Sequence, residues 1–140
     1  MGAWGIGNLE NDGAQDILAE ISQELFERVL KLLQSPLAAE YDEYDHDDLF
    51  VRIEMILALA QREMINDSPP PEDIEPLIAL FLDRWAQYHI SAGYELPEDR
   101  QKIMINSFKS LLVVCAGAES GSFEHRLDLI SQKMGQNNKG

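Results

Sequence analysis

Apolar residues recur along this chain every three to four positions, the period of an α-helix rather than of a strand. Ala14, Ile17, Leu18, Ile21, Leu25, Val29 and Leu32 form one stripe and predict a first helix. Asp12 supplies an N-cap, with Gln15 three residues on; Asp16 and Glu20 suit its start and Arg28 and Lys31 its end. Ser35-Pro36 stops it. Leu49, Ile53, Ile56, Leu57, Ala60 and Met64 mark a second helix, which Asn66-Asp67-Ser68 and Pro69 to Pro71 separate from a third. The third carries Ile74, Leu77, Ile78, Phe81, Leu82, Trp85 and Tyr88, and Gly93 is placed to close it as a left-handed cap. Pro97 opens a fourth with Met104, Phe108, Leu111, Leu112 and Cys115, widened by Ile103, Ile105 and Val114, so that this helix is expected to be the central one. After a break at Gly117 to Gly121, Phe123, Leu127, Ile130 and Met134 predict a fifth. With no alternating stretch and no internal repeat, the pattern specifies an all-α, single-domain bundle of about five helices over 1–134, with a frayed tail at 135–140.

Charge changes the picture most. The formal net charge is −14, unevenly spread: residues 1–70 hold 15 acids against 4 bases, and residues 71–140 hold 10 against 7. Such a field repels nucleic-acid phosphates and anionic lipid, and attracts a basic protein surface or cations. Nucleic-acid binding and membrane insertion are therefore not expected, and no apolar run approaches the roughly 20 residues of a bilayer span. No basic stretch precedes an apolar segment at the N-terminus, and Ile6 stands where a myristoylation motif wants Ser or Thr, so a cytoplasmic location is expected. The lone Cys115, set in an apolar run, reads as a small core hydrophobe.

The opening MGAWGIGNLENDGAQD is the least ordinary stretch. Its glycines suit tight turns, and Trp4 can tuck onto the helices. An anion nest is the alternative, but Glu10, Asp12 and Asp16 would repel a phosphate there. Gly2, Trp4, Gly5, Gly7, Asn11, Asp12 and Asp16 are therefore structural candidates. With Met1, Ala3 and Ala14 they resemble the start of the bacterial domain-of-unknown-function 4259 family. Leu9 stands where that family usually has Phe, Gly13 where it has a second Asp, and the C-terminal half lacks the Ser-Glu-Leu-x-x-Leu-Trp signature. The resemblance implies a fold and no activity.

Between the first two helices runs an acidic connector, Glu40 to Asp48. Glu43, Asp45, Asp47 and Glu54 have calcium-loop spacing, but Asp48 occupies the position where that loop needs Gly. A solvated acidic loop, loose divalent binding and a docking surface all remain open. Tyrosine suits interface centres and carboxylates steer association, so Tyr41, Asp42, Glu43, Tyr44, Asp45, Asp47 and Asp48 are the candidate partner surface. His46, His89 and His125 occur singly, and His89 follows an apolar stripe as a core-edge residue. No zinc, nucleophile-elbow or phosphate-loop motif occurs, so no catalytic residue, resident metal or cofactor is expected.

These observations favour a non-enzymatic binding module for a basic protein partner, of inhibitor or immunity type. Two alternatives stand beside it: a divalent-metal-dependent hydrolase using connector carboxylates, and a structural subunit of a helical oligomer.

Overall fold

A computed structural model describes residues 5–117. It is all-α and a single domain. Four α-helices make up the described part: α1 (Asp12–Gln34), α2 (Tyr44–Gln61), α3 (Pro71–Ala92) and α4 (Glu98–Cys115), with a 3-10 turn at Pro36–Ala39. The expected fifth helix and frayed tail lie outside the described residues.

The N-cap of α1 falls one residue earlier than expected. Asn11 takes the extended backbone, and its Oδ1 accepts from the Ala14 amide at 2.7 Å. Asp12 is left in the first turn, facing the helix dipole, and the Gln15 side-chain Nε2 donates to the Leu9 carbonyl at 2.8 Å. The inward face of α1 also differs. Leu18, Ser22, Leu25, Phe26, Val29, Leu32 and Leu33 are buried, whereas Ile17 and Ile21 stay exposed. Those two lie one residue, or about 100° around the helix, from the Leu18–Ser22–Leu25 line, and the small Ser22 holds the buried place between two leucines.

α2 begins at Tyr44, inside what the sequence presents as a connector. Just past its C-cap Arg62, Glu63 adopts positive φ (58°), with the Met64 amide returning to the Leu59 carbonyl at 2.9 Å. The linker to α3 is tied back to α1: Asn66 donates to the Gln15 carbonyl at 2.7 Å, and Gln23 donates to Asp67 at 2.8 Å. Gly93 closes α3 at φ 77°, and the Tyr94 amide bonds the His89 carbonyl at 2.9 Å. That cap matches expectation.

The helices form a ring in which α1 packs against α2 and α3, and α4 against α2 and α3. Among the described helices α4, like the other three, packs against two neighbours. Its apolar circumference is spent on two neighbours, while Ile103 faces out. The 3-10 turn plugs one end against α1, α2 and α3, burying Ala38 and Ala39. Small side chains let its backbone approach closely.

One ring each from α2, α3 and α4 meets at the centre. Phe50, Phe81 and Phe108 have centroids 5.4 to 5.8 Å apart, with Phe81 edge-on to both others. This trio fixes the α2–α3–α4 corner, where the notable polar chemistry lies.

Candidate functional site

The connector divides its side chains between surface and interior. Tyr41, Asp42, Glu43, Tyr44 and Asp47 are exposed. Asp45 is half-buried and accepts from the Ser35 hydroxyl at 3.2 Å. Asp48 turns inward, with only 9% of its side chain exposed. Arg28 of α1 reaches its Oδ2 at 2.9 Å, and Arg52, one turn along α2, reaches Oδ1. Burial alone would raise the Asp48 pKa, but the hydrogen bonds and charges of Arg52 and Arg28 outweigh it and hold the carboxyl below its ordinary value. Asp48 joins α1 to α2 instead of presenting itself to a partner.

No calcium loop exists here, because Asp45, Asp47, Asp48 and Glu54 all stand on one helix. Among the described residues no three His, Cys, Asp or Glu side chains gather closely enough to hold a metal ion.

His46 is the functional-corner residue that sequence reading passed over. It is fully buried; its Nδ1 lies 2.7 Å from the Ala38 carbonyl and its Nε2 lies 3.0 Å from Nη2 of Arg100. A carbonyl accepts only and a guanidinium donates only, so the ring is the neutral Nδ1–H tautomer. Desolvation is the main force lowering its pKa; the Ala38 bond opposes it and the Arg100 charge adds to it. Arg100 also lies over the Phe50 ring at 4.7 Å. The signal was present: His46 precedes Leu49, Ile53 and Ile56 in helical register.

Two concavities flank Arg100. On one side a cleft of about 340 Å³ is lined by Tyr41, Asp42, Tyr88, His89, Tyr94, Pro97 and Arg100. The connector gives it Tyr41 and Asp42, α3 gives Tyr88 and His89, and the Gly93 turn delivers Tyr94. His89 is buried at the core edge, as expected, with its Nδ1 2.9 Å from the Trp85 carbonyl and its ring against Trp85. The Tyr88 phenol is held above its ordinary pKa, first by desolvation, then by Glu40, Tyr94, Asp42 and Glu43. Carboxylates thus lie close to the cleft, with Arg100 as the opposing charge in its lining.

On the other side an open groove of about 630 Å³ runs between α2 and α4. Phe50, Val51, Met55, Ala58 and Ile103 supply its apolar surface and Asp47 and Glu54 its carboxylates. Val51, Met55 and Ile103 are exposed.

Over its described part the glycine motif lies against Glu10. The Glu10 side chain lies where a Cβ on Gly5 or Gly7 would stand: its Oε2 would be 1.4 Å from the first and its Oε1 2.7 Å from the second. That carboxylate is the far end of an exposed, flexible side chain that can swing aside, so the contact does not by itself require glycine at either position. Gly2 and Trp4 lie outside the described residues.

Fold and site together define an all-α domain whose distinctive surface is an acidic, tyrosine-lined cleft beside an apolar groove. Residues 2–61 match the family described as Domain of unknown function (DUF4259), so the chain resembles that family over this stretch. The match covers the glycine turn, α1, the 3-10 turn and all of α2. Tyr88, Tyr94 and Arg100 lie beyond it. No curated protein and no solved structure matches the chain. Among the described residues, no helix is long and apolar enough to cross a membrane.

Proposed function

We propose that this domain is a non-enzymatic binding module for a basic protein partner, of the inhibitor or immunity kind, in which its acidic face covers a cationic surface. The observation that carries the reading is the meeting of connector and cleft: exposed Tyr41 and Asp42 share one concavity with Tyr88 and Tyr94, and Glu40 and Glu43 lie close by. Tyrosines supply contact area at low entropic cost, and the net charge of −14 accelerates encounter with a cation-rich surface. Asp47 and Glu54 extend the same acidic character along the groove.

Titration of the full chain with decalysine at rising ionic strength tests the proposal. Affinity should fall steeply with salt, and Asp42→Lys with Glu43→Lys and Asp47→Lys should weaken binding at least tenfold. Reversing Glu72, Asp73 and Glu75, exposed at the start of α3, should have much less effect. Binding that ignores salt, or that responds equally to both triple variants, removes the reading.

A further inference from the structure

The cleft has a more specific chemistry than general negative charge. We infer that it is a cage for a single cationic side chain, the guanidinium or ammonium of an Arg or Lys on the partner; this deepens the binding-module reading and rests on it. Three tyrosines from three different segments converge on one cavity, and Asp42 stands among them. Aromatic faces attract a cation through their quadrupole, and an adjacent carboxylate adds a charge-assisted hydrogen bond. About 340 Å³ is ample for one long side chain and small for a folded segment. Tyr41 and Tyr94 remain more than half exposed, 55% and 62%, leaving apolar ring surface uncovered at the mouth.

Among the described residues Arg100 is the one cation in the wall, and its charge opposes the inference. Its Nη2 is bonded to His46 and the group lies over Phe50, while its buried Nε has no hydrogen-bond partner among the described residues. Against that single charge stand Asp42 in the lining, Glu40 and Glu43 acting on Tyr88, and Glu98 and Asp99 in the first turn of α4. By this count of acidic and basic groups the sign of the balance is negative. Phenol hydroxyls can also accept hydrogen bonds from an incoming donor.

The test is an NMR titration of the full chain with three probes: blocked arginine amide, blocked lysine amide and sodium acetate. The cationic probes should produce saturable shifts at Tyr41, Asp42, Tyr88 and Tyr94, in the millimolar range. Tyr41→Ala, Tyr94→Ala and Asp42→Asn should each weaken that binding about threefold to tenfold. Tyr94→Leu, which keeps apolar bulk without the ring quadrupole, should weaken it as Ala does; unchanged binding by the Leu variant rules out a cation–π cage. Acetate saturating the same resonances while the cations do not would assign the cleft to anions through Arg100 and overturn the inference. If decalysine binds wild type and tyrosine variants alike, the cage falls while the basic-partner reading stands. If the blocked amides bind and decalysine does not, the reverse holds.

Discussion

Nη2 of Arg100 and Nε2 of His46 lie 3.0 Å apart, which sets a cation against a buried imidazole that must stay neutral to accept its hydrogen bond. Protonating His46 would break that bond, bury a charge and place two cations in contact. The sign of the pH dependence follows. With the folded pKa below the ordinary 6.5, the unfolded chain binds the proton more readily. The stabilisation is complete above about 6.5 and is lost as pH falls from there through the lowered folded value. Denaturant unfolding between pH 8 and 5 should show this loss. His46→Gln should be less stable by about 2 kcal/mol at pH 8, from the disturbed Ala38 and Arg100 partners, and should lack the slope. A His46 imidazole titrating by NMR at or above 6.5 contradicts the assignment.

Asp48 governs a second, more acidic window. Its pKa is depressed, so its contribution is present above the ordinary carboxylate value and disappears as pH falls through the folded one. Because Arg28 and Arg52 are 42% and 36% exposed, solvent screens part of the attraction. Asp48→Ala should therefore cost about 2 kcal/mol at neutral pH, less than a wholly buried pair. Thermal unfolding at pH 7 and pH 2 checks it: the gap between wild type and variant should shrink at the lower pH.

The helical register made most of this architecture legible. Ile74, Ile78, Phe81 and Trp85 are buried on α3 as their spacing demands, and Gly93 takes the left-handed cap foreseen for it. What stayed hidden was hidden by polarity. Asp45, Asp47 and Asp48 read as part of an acidic connector, so α2 is expected from the sequence to begin near Leu49, and His46, one turn earlier on the same stripe, is separated from its core partners. Asp48 looked like its neighbours because nothing local reveals that Arg28, twenty positions back, lies opposite. Tyr41 and Asp42 were legible as candidates; Tyr88 and Tyr94 joining them was not, since that depends on how α3 crosses the connector. Sequence periodicity says which face of a helix is inward but not which two loops share a corner.

The centre of the molecule should be intolerant of truncation. Phe81 is wholly buried and touches rings from both α2 and α4. Phe81→Ala should cost about 3–5 kcal/mol, whereas Phe81→Leu, which fills more of the space, should cost markedly less. Equal losses for the two would mean that the aromatic trio is not close-packed.

Cys115 should be inert in the native state. Burial pushes its thiol up to about 12, so thiolate is scarce at any ordinary pH. Alkylation by iodoacetamide at pH 8 should be slow in buffer and rapid in denaturant. Fast native labelling would mean that the end of α4 opens readily.

Two helix ends offer opposite outcomes from the same backbone physics. Glu63 holds φ at 58°, a region that costs an L-residue about 1 kcal/mol or more, so Glu63→Gly should stabilise by about 0.5–1 kcal/mol despite the added freedom of the unfolded chain. Gly93 sits at φ 77° with open space where a Cβ would go, so Gly93→Ala meets no clash and only the backbone penalty, about 1 kcal/mol. That penalty falls on the turn whose Tyr94 amide bonds the His89 carbonyl, the contact that delivers Tyr94 to the cleft. Gly93→Ala should therefore also weaken binding of the blocked arginine amide, while Glu63→Gly, at the end of α2, leaves it unchanged. Isothermal unfolding and the same NMR titration on both variants separate the effects: a Gly93→Ala protein that is less stable yet binds normally would show that the cap holds α3 without positioning Tyr94.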